Sequence, residues 1–353
     1  MLKSNKNLLV RYFSIICLLI LFNIILFSCK PVPEGYKAKS KASSEIQHSP
    51  ETVKGSLAAE SVKVTNVSVE KIAIDFMQKP KSINLDNKGN ILINHHGHWT
   101  ESDELIPGLI VFNPNDNSTD LLDITKMADK DNDMIITKDI AINESGIIYG
   151  IDKITKDTPF LFSFKNNEQE ELEKINLSLT PNKIEINKDG TFFGIFAAEK
   201  HGRELLGQFT PGNNVQILDY NKSELNFESS TIIFTDIAIN SQGNVYFSEW
   251  IGSVLVFDHN GHYKSNLIRD YQKHSLFSSI ACDRNDNIYI LDVKFKCIHK
   301  LNKEGKFIER LEFKGSNIFS PGSSDDMIVD NNGEIFILSL EKDSFYRVIV
   351  KKQ

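Results

Sequence analysis

The chain has 353 residues, with 40 Lys and Arg against 47 Asp and Glu, a formal net charge of −7. An acidic balance of this kind excludes a nucleic-acid partner held by basic surface. Losing Lys3, Lys6 and Arg11 with a cleaved leader would make the remainder more acidic still.

Those three basic residues flank the start of an apolar run from Tyr12 to Phe27, which closes on Leu26-Phe27-Ser28-Cys29. This is the charged region and hydrophobic core of a secretory signal, ending in a cysteine. The tetrad resembles a bacterial lipoprotein signal, with Phe27 bulkier than usual, and implies cleavage before Cys29 and lipid attachment to its thiol. An uncleaved anchor is the alternative, although the run is only marginally long enough to span a bilayer. From Lys30 to about Val62 the chain is polar, holds Pro31, Pro33 and Pro50, and shows no apolar period. It reads as a flexible tether. The expected organisation is a leader over 1–28, a lipidated tether over 29–62 and a folded body over 63–353.

Val64 to Phe76 alternates like a strand but has no hairpin partner beside it. After it a unit recurs, most clearly from Thr235 to Asp258: a first strand, a turn, NVYFSE, a second turn and SVLVFD. Its turn recurs six times, closing on Gly89, Gly146, Gly190, Gly243, Asp286 and Gly333. Three residues earlier stand Asp86, Asn143, Asn187, Asn240, Asp283 and Asp330; an Asp or Asn opening a turn that closes on Gly is tight-hairpin chemistry. Three residues later come Leu92, Tyr149, Phe193, Tyr246, Tyr289 and Phe336, a packing layer between units.

A recurrence on the order of 50 residues suits a four-stranded propeller blade. The blades fall at 81–125, 137–177, 182–221, 234–270 and 278–314, and a sixth stops after DMIVD, EIFILSL and FYRVIVK. The alternating stretch Val64–Phe76 supplies the missing outer strand. The expected fold is an all-β, six-bladed β-propeller closed by that strand, which removes an exposed edge; an open, solenoid-like stack is the rival.

These columns resemble the NHL repeat, best in GNVYFSE from Gly243 and DNIYILD ending at Asp292 and least in FFGIF of the third unit. The resemblance covers about residues 64–351 and implies a propeller, a fold that serves binding modules, scaffolds and occasional enzymes.

Seven residues before the turn markers stand Ser82, Asp139, Lys183, Asp236, Ser279 and Asp326; six after them stand His95, Asp152, Phe196, Glu249, Asp292 and Ser339. Hairpin geometry puts both columns on one acidic face, the first nearer the channel. Asp139, Asp236 and Asp326 are the candidates for a calcium ion, although capping of strand-entrance amides, with Lys183 offsetting one charge, is the reading preferred here. Trp250 and Trp99 follow second strands on the same face. The candidate binding face is therefore Asp139, Asp236, Asp326, Asp152, Glu249, Asp292, Trp250 and His95. Neither His95-His96-Gly97-His98 nor Asp129-Lys-Asp131-Asn-Asp133 completes a metal motif. Cys282 and Cys297 fall on the first and third strands of one blade, too far apart to bridge, and are expected as two buried thiols.

No nucleophile elbow, phosphate loop or paired zinc motif is present. The expected function is a membrane-tethered, non-enzymatic binding or scaffolding propeller without a cofactor, whose partners are the membrane, through lipid, and an envelope protein. Lys30 after the lipid cysteine suits the outer membrane. The propeller lipoprotein that accompanies outer-membrane β-barrel assembly is similar in architecture only. A cation-dependent lactonase or esterase using the channel carboxylates, and a surface adhesin, are the alternatives.

Overall fold

The computed structural model describes residues 62–74, 77–95, 98–99, 105–106, 108–123, 137–152, 160–164, 175–177, 179–197, 204–220, 232–268, 275–319 and 325–350. Among them every regular element is a strand, and no helix is long and apolar enough to cross a membrane. Cys29, the leader and the tether, His96 and the Asp129–Asp133 loop lie outside the described residues, as do the side chains of His98, Trp99 and Asp152.

In chain order, β1 (Lys63–Ile72) precedes β2 (Pro80–Leu85), β3 (Ile91–His95), a small pair β4 (His98–Trp99) and β5 (Leu105–Ile106), then β6 (Gly108–Phe112) and β7 (Thr119–Asp123). Next come β8 (Thr137–Ile142), β9 (Ile148–Asp152), β10 (Phe160–Phe164) and β11 (Ile175–Asn176), then β12 (Pro181–Ile186), β13 (Phe192–Ala197), β14 (Glu204–Phe209) and β15 (Gln216–Ile217). They continue with β16 (Phe234–Ile239), β17 (Val245–Glu249), β18 (Ser253–Phe257) and β19 (Tyr263–Ile268), then β20 (Phe277–Cys282), β21 (Ile288–Asp292), β22 (Cys297–Leu301) and β23 (Phe307–Glu312). The series closes with β24 (Asp326–Val329), β25 (Ile335–Ser339) and β26 (Ser344–Val350). Strands β2-β3-β6-β7, β8 to β11, β12 to β15 and β16 to β19 each form an antiparallel meander.

The strand β1 joins the last two meanders into one sheet, ordered β20-β21-β22-β23-β1-β26-β25-β24. Val67 to Ile72 run antiparallel to β26, Val67 opposite Val350 and Ile72 opposite Phe345. Lys63 to Asn66 run parallel to β23. The alternation that marked this stretch is visible in its burial, since Thr65 and Val67 face inward while Val64, Asn66 and Ser68 are exposed. The second pairing, to β23, left no mark in the sequence.

The inner strands touch in a cycle, β2 to β8, β12, β16, β20, β24 and back to β2. Each seam between successive sheets holds its own apolar cluster. Leu92 and Leu109 meet Ile140 and Phe162; Ala238, Tyr246 and Val254 meet Phe277, Ile280 and Ile290; Ile83 and Ile93 meet Phe336 and Leu338. The aromatic column anticipated above lies in these seams, one side chain in each. Burying such side chains stabilises by roughly 1.5–3 kcal/mol apiece.

The turn column has a double task. Asp86, Asn143, Asn240, Asp283 and Asp330 each accept, through Oδ1, the amide of the residue four further on. Some also hold the seam aromatic: Tyr289 donates its hydroxyl to Asp283 Oδ2 at 3.1 Å, and Asn240 Nδ2 donates to Tyr246 Oη at 3.2 Å. Where Gly is absent, Asp286 takes the left-handed conformation at φ 60°, and its carboxylate accepts the Ser241 amide and hydroxyl of the neighbouring sheet, both at 2.8 Å. Asp tolerates that region better than most residues.

Candidate functional site

The inner strands surround a central cavity of about 300 Å³. In β2, β12, β16 and β20 the register with the next strand shifts just ahead of the inner-column residue, as between Pro181 and Lys183 or Phe234 and Asp236, and in β8 the shift spans Asp139. A bulge there re-aims the following side chains, here toward the axis.

Each aspartate of that column reaches to the next sheet. Ile184 N–H donates to Asp139 Oδ2 at 2.8 Å, Ile280 N–H to Asp236 Oδ2 at 3.0 Å, and Ile83 N–H to Asp326 Oδ2 at 3.3 Å. The amides capped belong to the neighbour, whereas the sequence suggested each strand's own entrance. This is where the unpaired edge of an innermost strand finds its acceptors. The residues between complete the ring: Ser279 donates its hydroxyl to Asp236 Oδ2 and accepts the Met327 amide at 3.0 Å, and Ser82 bonds Asp139.

Lys183 closes the arrangement. Its Nζ lies 2.8 Å from Asp326 Oδ2 and 3.4 Å from Asp236 Oδ1. Burial favours its neutral amine, but the Asp236, Asp326 and Asp139 carboxylates outweigh that and hold its pKa well above the usual lysine value. Burial raises Asp139, and raises Asp236 to about 7 against the pull of Lys183.

A second layer stands two residues further along the inner strands. Glu185, half-buried, accepts Asn84 Nδ2 at 3.2 Å, and its pKa is raised to about 8 by burial and then by Asp139 and Asp236. Glu185, Asn84 and Cys282 are channel residues that the sequence reading did not single out for this role. The repeat does predict Asn84 and Glu185, which stand two places beyond the inner column in their strands.

The outer column does not make an open acidic face. His95, Glu249 and Asp292 are buried. Glu249 Oε2 accepts the Ile251 amide at 3.0 Å, and burial lifts its pKa to about 7. Trp250 is half-buried against the cluster of Val293, Phe313 and Phe319, and its indole packs between sheets. Asp292 turns to Cys297 and His299 of the adjacent strand. Cys297 is buried as expected, whereas Cys282 is only partly so and borders the channel; both are free thiols, on β22 and β20 with β21 between.

A hard divalent cation does not fit the carboxylate ring. The oxygens that converge there already accept amides, a hydroxyl and an ammonium, and the Lys183 charge against Asp236 and Asp326 would repel a calcium ion.

Comparison with protein families and with curated proteins finds no match. Among solved structures the chain is similar to a streptogramin B lyase (TM-score 0.54, 10% identity, covering 81% of this chain and 98% of that one). It is also similar to the calcium-binding protein regucalcin of Agrobacterium tumefaciens str. C58 (TM-score 0.54, 12% identity, 83% and 98%). A gluconolactonase of Xanthomonas campestris is a third (TM-score 0.52, 10% identity, 81% and 90%). Likeness at these identities shows the fold, which is all-β and propeller-like.

Proposed function

We propose that the chain is a six-bladed propeller lipoprotein, held through acylated Cys29 at the outer membrane, that acts as a non-enzymatic binding or scaffolding module for an envelope protein. One observation carries the non-catalytic part: Lys183 spans the channel to Asp326 and Asp236 and offsets one charge of the ring, while Asp139, Asp236 and Asp326 are each committed to the backbone of the next sheet. Such a ring braces a rigid body, and a tether confines that body to two dimensions near its partners. Crosslinking of the native protein in its own membrane, then affinity purification, tests the reading. A stoichiometric envelope partner supports it; purification alone, with turnover of small esters or lactones, overturns it. Mass spectrometry of the mature N-terminus tests lipidation, and an intact Met1 refutes it.

A hydrolase of lactonase type is the second reading, favoured by Glu185. A carboxyl whose pKa is raised to about 8 beside a cavity of about 300 Å³ is placed for proton transfer. The similar structures include a gluconolactonase. Lactone hydrolysis lost in Glu185→Gln would establish it.

A further inference from the structure

We propose that Asp292, Cys297 and His299 form a zinc site in the seam between the β16–β19 and β20–β23 sheets, away from the channel.

The register of one hairpin assembles it. Asp292 closes β21 directly opposite Cys297, the first residue of β22, and His299 is two residues along β22, so all three side chains leave the sheet on one face. Cys297 Sγ lies 3.4 Å from His299 Nε2, and that nitrogen lies 3.5 Å from Asp292 Oδ2. The three atoms fall within 4.8 Å of one another, and all three residues are buried. A zinc ion takes nitrogen at about 2.0–2.1 Å and sulfur at about 2.3 Å in tetrahedral geometry, which sets those donors about 3.5 Å apart. The thiol–imidazole and imidazole–carboxylate spacings match two edges of such a tetrahedron.

A catalytic relay does not fit the same atoms. A nucleophile, base and orienter would use the two ring nitrogens in turn, whereas here Nε2 faces both the thiol and the carboxylate. Cys297 is also buried beyond the reach of a substrate.

The surroundings suit a bound metal. Asp292 Oδ1 accepts the amides of Lys294 and Phe295, each at 3.1 Å, and of Leu276 at 3.4 Å, which aims Oδ2 at the cluster. Outer partners of this kind orient metal ligands. The Phe277 and Phe307 rings flank His299 at 6.2 and 5.8 Å. In so apolar a wall, a thiolate and a carboxylate together need a divalent counter-charge. Arg310 hydrogen-bonds Cys297, which favours the thiolate, and is itself paired with Glu312 at 3.4 Å, so that the guanidinium's charge is shared with an acid. On binding, Cys297 releases its thiol proton to solvent and His299 keeps its ring proton on Nδ1. Thiolate and imidazole donors select zinc over calcium or magnesium. The set leaves one coordination position for a small exogenous donor.

The test uses the purified full chain in detergent, stripped of metal by chelator and titrated with Co²⁺ as a spectroscopic stand-in. One equivalent bound, with a thiolate-to-cobalt charge-transfer band that Zn²⁺ abolishes, is expected. Cys297→Ser should remove the band, and His299→Gln should weaken binding by at least about tenfold. Asp236→Asn, in the channel, should leave both unchanged. Should Cys297→Ser fail to fold, Asp292→Asn and the zinc-dependent rise in Tm of the unaltered chain carry the test. No stoichiometric binding by the folded chain, or a band that persists without Cys297, overturns the site and leaves a hydrogen-bonded polar cluster.

Discussion

The Lys183 ammonium meets Asp326 Oδ2 at 2.8 Å although 143 residues separate them. Their strands, β12 and β24, stand three places apart in either direction around the cycle of inner strands. The pair therefore crosses the channel.

Lys183→Met should destabilise the fold by about 3–5 kcal/mol, because it leaves buried carboxylates without their counter-charge. Asp326→Asn in the same chain should recover part of the loss, since one fewer charge then lacks a partner. Urea titrations of both single variants and the double variant measure the coupling. Additive losses would mean that the pair does not interact in solution.

Acidity should stabilise the protein over an unusual range. Glu185 and Glu249 are raised in the folded state to about 8 and about 7, above the roughly 4.3 of an unfolded glutamate. Between those values the native state holds protons that the unfolded chain has released. Their contribution is complete below pH about 4.3 and is lost as pH rises through 7 to 8. The urea midpoint should fall from pH 5.5 to pH 8.5, and Glu185→Gln with Glu249→Gln should flatten the decline. A midpoint that rises across that interval refutes the buried-acid assignment.

Asp286 joins backbone strain to a cap, so its substitutions should separate the two. Asp286→Ala keeps the left-handed residue and loses both bonds to Ser241, at a cost of about 2 kcal/mol. Asp286→Gly relieves the conformation and should cost about 1 kcal/mol less. Thermal unfolding of both variants decides; equal losses would show that φ carries no penalty there.

Removing residues 63–72 should abolish soluble folding, since both β23 and β26 would lose a neighbour. Val67→Asp should have a milder effect, about 3 kcal/mol, by burying an unpaired charge. Limited proteolysis reports both, and an undiminished protease-resistant core after the deletion would disprove the bridging role of β1.

The elements were legible because the turns are local. An Asp or Asn three residues before a left-handed residue specifies its hairpin within five residues, and in Asn240 and Asp283 the same side chain then bonds the seam tyrosine. The channel was legible by column but not by bond: bulges displace Lys183, Asp236 and Ser279 relative to their hairpin partners, Asp236 and Ser279 then accept amides of the next sheet, and Lys183 donates across the channel to Asp326. Burial of Glu249 and His95 was not legible, since column position along a strand does not record how deeply its end is covered. The grouping of Asp292, Cys297 and His299 is implicit in a hairpin register, but without a family spacing to mark it the three residues look unrelated.

The pairing of Val67 with Val350 also imposes an order in time. While the polypeptide emerges from the ribosome, β1 is made long before either of its neighbours and waits, unpaired, until β23 and β26 exist. Contacts of such sequence separation form slowly and late. An incomplete nascent chain is thus kept open by its own topology, and closure acts as a check that the final strands have been made.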